Sequence, residues 1–226
     1  MPPTATPIRL GAACLFPDPS GALWWPDQAT LIVADLHLEK GSSFARRGIP
    51  LPPYDSAATL SRLGGLIERF RPTRIVALGD SFHDGDGVER LAPADHAHLT
   101  ALISSCDWIW IAGNHDPTPP LALGGTVLPE GSDLDGLTLR HEARFEPDGP
   151  ELSGHYHPKA TVSVHGRRVT CRCFMSDARR VILPAFGAYA GGLDIRDPTL
   201  GRLFPDGYTA WLTGTKRVSA IASMHF

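Results

Sequence analysis

Three short apolar runs, each ending abruptly in polar side chains, limit the folds open to this chain. They are residues 30–34 (TLIVA), 74–78 (RIVAL) and 108–111 (WIWI). Each run is continuous rather than alternating, so both faces of each strand have to be covered. Between the first two lies 57–70, with apolar residues at Leu60, Leu63, Leu66, Ile67 and Phe70, the spacing of one helical face. Pro72 follows its end, and 95–104 is a second predicted helix before the third run. Strand, helix, strand with buried strands is a βαβ unit, which requires parallel pairing. Parallel strands present their carboxyl ends at one sheet edge. Asp35-Leu36-His37, Gly79-Asp80 and Gly113-Asn114-His115-Asp116 follow the three runs and therefore share that edge. Pro117, Pro119 and Pro120 stop the last of them from continuing as helix or central strand.

The remaining chain reads as further β-structure. Residues 8–25 form a short edge hairpin in which Trp24 and Trp25 are packing residues. Residues 39–55 carry Lys40, Arg46 and Arg47 among Gly41, Gly48, Pro50, Pro52 and Pro53, and read as a loop beside Asp35 and His37. That loop is either solvated or a phosphate clamp. Residues 137–142 alternate as a strand that presents His141, and 161–174 form a hairpin turning near 165–168. Residues 181–187 enter a Gly-rich segment, and 208–221 form a final edge strand. No linker or internal repeat divides the chain, so one domain over 1–226 is expected.

Composition narrows the function. The formal net charge of -3 is not that of a generic nucleic-acid binder, though a local basic groove is compatible with it. Cys14, Cys106, Cys171 and Cys173 are too few and scattered for a disulfide framework or a zinc knuckle, and Cys171 and Cys173, on one face of a strand, read as small buried thiols. No apolar run approaches the ~18 residues of a membrane span, and residues 1–7 lack the basic and apolar regions of a signal peptide. A cytoplasmic protein with no membrane partner is expected.

The chemistry lies in the strand ends. Residues at i and i+2 of an extended chain point the same way, so Asp35 and His37 can chelate one ion, with Leu36 turned to the core. His155 and His157, between Gly154 and Pro158, form a second such pair. Alone, Asp35-x-His37 is the common pattern of an Asp near a loop His, and a lone His141 that of a packed histidine. Together, Asp35, His37, Asp80, Asn114, His115, His141, His155 and His157 are too many ligands for one tetrahedral ion. A carboxylate, amide and imidazole set without thiol suits Mn, Fe or Zn. Two ions ~3.5–4 Å apart would need a bridging carboxylate, and such pairs activate water for in-line attack on phosphorus.

In order, Asp35-x-His37, Gly79-Asp80, Gly113-Asn114-His115-Asp116, His141 and Gly154-His155-x-His157 resemble the motifs of calcineurin-like metallophosphoesterases, over residues 30–158. Residues 44–48 (FARRG), 51–55 (LPPYD), 79–84 (GDSFHD) and 183–189 (LPAFGAY) resemble one branch, the bacterial ligase-associated DNA-damage-response endonucleases. The resemblance implies an α/β (α+β) fold, a four-layer αββα sandwich of two mixed β-sheets with flanking helices. It implies that Asp35, His37 and His157 hold one divalent metal and Asn114, His141 and His155 another, with Asp80 between them. His115 would assist the leaving oxygen, and Asp116 would orient His115 by a hydrogen bond. Mn is the expected metal, with Fe or Zn as alternatives.

The resemblance further implies a phosphodiesterase that cuts single-stranded or flapped DNA internally during repair, with ligase, helicase and exonuclease partners. Candidate substrate contacts are Lys40, Arg46, Arg47 and His83. The arginine pairs 46–47, 167–168 and 179–180 and the aromatics Phe44 and Tyr54 are further candidates for DNA binding. A small-molecule phosphodiesterase or nucleotide pyrophosphatase on the same metals is the alternative enzyme. A metal-stabilised scaffold is the non-catalytic alternative, against which His115 and the complete ligand set both stand.

Overall fold

In the computed structural model, which describes residues 6–49, 51–118 and 121–222, the three apolar runs are neighbouring strands of one sheet. That sheet runs β1 (Ile8–Leu10), β2 (Ala13–Pro17), β3 (Leu23–Trp25), β4 (Thr30–Ala34), β5 (Arg74–Leu78), β6 (Asp107–Ile111) and β7 (Thr126–Leu128) in sequence order. Strands β4 to β7 are parallel, and β1 to β4 are antiparallel. Register aligns Ala34 with Leu78 and Leu78 with Ile111, so the three strands end level.

Alternate side chains divide between two cores. Leu31, Val33, Ile75, Ala77, Trp108 and Trp110 pack under helices α2 (Asp55–Phe70) and α4 (Pro93–Ser104). Ile32, Ala34, Val76, Leu78, Ile109 and Ile111 face a second sheet. Burial on both faces explains the continuous hydrophobicity of these strands. The helical side also carries α1 (Lys40–Arg46) and the short α3 (Gly87–Arg90).

The second sheet is built from β8 (Ser132–Leu134), β9 (Leu137–Leu139), β10 (Glu151–Ser153), β11 (Lys159–Val164), β12 (Arg167–Ser176), β13 (Arg180–Ile182), β14 (Thr209–Thr213) and β15 (Val218–Ala222). Its order is β15-β14-β12-β13-β10-β9-β8, with β11 paired only to β12. Strand β10 is parallel to β9 and β13, and the other pairings are antiparallel. Its outer face packs Cys173, Met175 and Ile182 against Leu200 and Leu203 of α5 (Pro198–Leu203). The expected four-layer αββα arrangement is present. No helix among the described residues is long and apolar enough to cross a membrane.

Several local expectations differ from the structure. Residues 8–25 form three strands rather than one hairpin, and 208–221 contain two strands that turn at Gly214, whose N–H donates to Arg217 O. The stretch 39–55 is not all loop, since it contains α1. This helix has no side-chain N-cap. Its first turn is held from elsewhere: Asp55 Oδ2 accepts from Gly41 N at 3.0 Å, and Ser56 Oγ accepts from Glu39 N at 2.9 Å. A helix capped by distant residues leaves little trace in its own sequence. Helix α5 was also unexpected. It is too short for periodicity, although Asp197 caps it by accepting from Thr199 N and Pro198 opens it. Residues 1–5, Pro50, Pro119 and Pro120 lie outside the described residues.

The pair Arg179-Arg180 does not form a joint nucleic-acid surface, since Arg179 is exposed but Arg180 is not. Arg180 is fully buried and donates to Arg144 O and Phe145 O. Beside it lies Glu151, fully buried, with Arg140 Nε 3.0 Å from its Oε2 and Arg144 N donating to it. Burial pushes the Glu151 pKa up, while the Arg144 amide and the charges of Arg180 and Arg140 pull it back. This charged cluster fixes β10 between β9 and β13, upstream of His155 and His157. Glu151→Ala would leave two buried guanidinium groups uncompensated, so a loss of ~3–5 kcal/mol in unfolding free energy is expected in urea. A loss below about 1 kcal/mol, the worth of a surface pair, would contradict this role.

Candidate metal centre

The level ends of β4, β5 and β6 deliver Asp35, His37, Asp80, Asn114 and His115 to one edge. The second sheet brings His141 from beyond β9, and His155 and His157 from beyond β10. Donor atoms of Asp35, His37 and His157 lie within 4.8 Å of one another, and so do those of Asp80, His141 and His155. In the first group, His37 Nε2 and His157 Nε2 are 3.3 Å apart, and His157 Nε2 is 3.4 Å from Asp35 Oδ1. In the second, Asn114 Oδ1 sits 2.7 Å from His141 Nε2 and 3.0 Å from His155 Nδ1. Asp80 Oδ2 lies between the groups, 3.9 Å from His37 Nε2 and 3.5 Å from His141 Nε2.

The other oxygen of each aspartate is held by a backbone amide. His115 N donates to Asp80 Oδ1 and His155 N donates to Asp35 Oδ2, both at 2.9 Å. Strand alternation predicts that Asp35 and His37 share a direction, and likewise His155 and His157. The structure brings them together differently. Asp35 (φ 53°), His37 (44°), Asp80 (41°), His155 (68°) and His157 (47°) all adopt left-handed backbone. Such non-glycine residues cost roughly 1–3 kcal/mol each and gather at functional sites. The strands end first, and tight turns then aim the side chains.

Two motif glycines make room for neighbouring ligands. A Cβ on Gly113 would sit 2.1 Å from Asp80 N, and one on Gly154 would sit 2.4 Å from Asp35 Oδ2. Neither has positive φ. They are needed for close approach rather than for the turn.

The donors fit divalent metal ions. Aspartate oxygens and the Asn114 carbonyl are acceptors only, and they converge on imidazole nitrogens with few protons between them. Burial and the neighbouring His157 and Lys40 charges push the His37 pKa down to about 2, and burial with His141 lowers that of His155. Both rings are therefore neutral at pH 7, as metal ligation requires. Asp35 Oδ1, buried, has no hydrogen-bond partner among the described residues. A cation in each group would satisfy these lone pairs.

A sequence model of calcineurin-like phosphoesterases matches residues 29–178. The chain belongs to the calcineurin-like phosphoesterase family. Its fold is similar to the crystal structure of Pseudomonas putida nuclease MPE, with a TM-score of 0.73 and 28% sequence identity over 95% of this chain and 98% of that one. Yfce, a phosphoesterase from E. coli, is also similar, at a TM-score of 0.44 and 14% identity, covering 85% of this chain and 98% of that chain. No curated protein matches the sequence.

The other candidate residues of this calcineurin-like phosphoesterase separate in the structure. His115 is exposed at the rim, with its ring stacked on His83 at 5.0 Å and its Nδ1 2.9 Å from His83 O. A carbonyl partner fixes the proton on Nδ1 and leaves Nε2 as the free nitrogen. The expected Asp116–His115 hydrogen bond is replaced by this one. Asp116 is buried and its Oδ2 accepts from Phe82 N at 3.0 Å. It therefore secures the 80–83 turn that carries Asp80 and His83. Burial, with Asp80 nearby, pushes its pKa up to about 7.

Lys40 and Arg47 each lie 5.8 Å from the centre of the Phe44 ring, which packs against His83. Arg46 instead reaches Asp86 at 3.4 Å. The predicted clamp is thus split, with Lys40 and Arg47 on the His83 side. Glu142 is a contact that sequence reasoning missed. Its Oε1 accepts from Tyr156 OH at 3.1 Å and lies 3.9 Å from His155 Nε2. It follows His141 directly, but only the fold shows that it meets His155.

These shifts set the acid sensitivity of the metal-free protein. Burial pushes His83 down to about 4, and His37 and His155 are lowered as described. All three protonate near 6.5 when unfolded, so unfolding takes up protons and stability falls as pH drops below ~6.5. Asp116 opposes them, since its raised pKa makes the fold bind a proton that the unfolded chain lacks between about 4 and 7. Three histidines outweigh one aspartate. Melting of chelator-treated protein should therefore shift to lower temperature from pH 7 to pH 5, more steeply in Asp116→Asn. A flat or rising melting temperature on acidification would contradict the neutral-imidazole assignment.

Proposed function

We propose that this protein is a dinuclear-metal phosphodiesterase acting as a Mn-dependent DNA endonuclease in repair, on single-stranded or flapped DNA. The observation that carries the reading is Asp80 Oδ2, placed between two donor groups beside an exposed histidine whose Nδ1 is anchored. Asp35, His37 and His157 would hold one ion, and Asn114, His141 and His155 the other. Asp80 would serve both, with its Oδ1 held by the His115 amide. When bound, the ions supply Lewis acidity and make water nucleophilic near neutral pH.

The chain's own groups do the rest. In its imidazolium form, with Nδ1–H donating to His83 O, His115 would carry a second proton on Nε2 and pass it to the leaving oxygen. Asp116 keeps the 80–83 turn in place and so positions His83 O. Lys40 and Arg47 flank the rim and can pair with phosphate oxygens. DNA as substrate is supported by the motifs shared with ligase-associated endonucleases and by the likeness to a P. putida nuclease. Repair partners are proposed on the same resemblance, a cytoplasmic location is proposed on the sequence expectation alone, and 1–226 is taken as one domain because both sheets build a common core.

The deciding experiment is digestion of circular single-stranded DNA after chelation and Mn²⁺ addition, beside a chromogenic phosphodiester. Linearised circles only with Mn²⁺ are expected. Turnover of the chromogenic ester with intact circles would point to a small-molecule phosphodiesterase. His115→Ala should retain two-ion occupancy and lose ~10²–10⁴-fold in turnover, whereas Asp80→Ala should lose both occupancy and turnover. Near-wild-type turnover in His115→Ala would remove the proton-donor role.

A further inference from the structure

The β11–β12 hairpin takes no part in the chemistry above. Residues 173–176 of β12 pair with β14, but 167–172 pair with β11 alone, so the two strands leave the sheet as a ribbon. Strand β11 starts at Lys159, two residues after His157, and its length of six residues carries the ribbon ~17 Å outward.

Directly opposed residues of an antiparallel pair share a face. The register places Lys159 with Arg172, Thr161 with Thr170 and Ser163 with Arg168 on one face. Ala160 with Cys171, Val162 with Val169 and Val164 with Arg167 occupy the other, and Ala160, Val162 and Cys171 pack toward the α5 core. Adjacent arginines in the sequence are therefore split between faces. The first face holds three cations and three hydroxyls. The whole stretch 159–176 has four Lys or Arg and no Asp or Glu, in a chain of net charge -3.

That face stands on the side of the metal centre. Arg172 Nη1 donates to Ala185 O at 3.0 Å and Phe186 O at 3.3 Å. Phe186 N and Gly187 N donate in turn to Ala34 O and Asp35 O. At its inner end, Lys159 is close enough to Lys40 to lower the pKa of that amine. Asp194, which feels the Arg168 charge, is already paired with Arg196 at 2.7 Å. Arg168, Thr170 and Ser163 are exposed.

We propose that the Lys159, Thr161, Ser163, Arg168, Thr170 face is a track for the phosphodiester backbone of single-stranded DNA, leading away from the metal centre. The proposal rests on the nuclease reading above. Same-face residues recur every ~7 Å along a strand, so the face offers donors at regular steps to successive phosphates. Cations and hydroxyls contact backbone without reading bases, so the track confers length dependence rather than sequence preference.

The test compares kcat/KM for a long single-stranded oligonucleotide and for a dinucleotide, in Mn²⁺, across a salt series. Wild type should favour the long substrate. Arg168→Glu should lower the long-to-short ratio ~10-fold through KM, and flatten the log–log salt slope for the long substrate by about 1. Arg167→Glu makes the same charge change on the opposite face and should leave the ratio within about twofold. Both side chains are exposed, so folding is not at stake. Equal losses in the two variants would mean general electrostatics and overturn the track. So would a wild type that cuts both substrates with no length preference, and the nuclease reading would then stand. A wild type that hydrolyses a chromogenic diester but neither binds nor cuts the long strand would remove the nuclease reading and the track together.

Discussion

Two backbone amides hold this centre in register. His115 N pins Asp80 Oδ1 and His155 N pins Asp35 Oδ2, both at 2.9 Å. Each bond fixes one carboxylate oxygen to the backbone of a later motif and leaves the other for the histidines. The second bond joins an amide beyond β10 of one sheet to a carboxylate beyond β4 of the other. The centre therefore exists only while the two sheets stay packed. Its geometry is inherited from the core of Ile32, Val76, Ile109, Leu139, Leu152 and Val181 between them.

That dependence explains how the strain is tolerated. Five expected ligands have left-handed backbone, at roughly 1–3 kcal/mol each. Each fully buried aliphatic side chain contributes ~1.5–3 kcal/mol, so the apolar ends of β4, β5, β6 and β10 can stabilise the turns that follow them. Gly113 and Gly154 serve the same end sterically, because any Cβ there would collide with the neighbouring aspartate. Each motif glycine belongs, in effect, to the ligand of another motif. Asp116 does likewise, reaching back to Phe82 rather than to its neighbour His115.

Charge is distributed in keeping with a phosphoesterase. The chain is acidic overall, and Asp35 and Asp80 are buried where only cations can balance them. His37 in one group and His155 in the other are held neutral by burial and so add no charge. Cations gather at the rim, at Lys40 and Arg47, and along one face of the β11–β12 ribbon. A global net charge averages these regions and so says little about the substrate.

The apolar runs, their spacing and the polar residues at their ends determined, from sequence alone, the parallel βαβ core, the shared edge and a donor set too large for one ion. These rest on local periodicity and chain connectivity, which a linear pattern records. The resemblance carried by the motifs extended this to the four-layer sandwich. Other features were decided by contacts between residues distant in sequence. Helix α1 forms because Asp55 and Ser56 cap it across a turn. His115 is oriented by the His83 carbonyl rather than by the adjacent Asp116. Arg180 is buried structure, while Arg168 is exposed on the face toward the metal centre. A side chain's partner depends on which backbone passes within hydrogen-bond reach, and only the packed sheets bring those segments together.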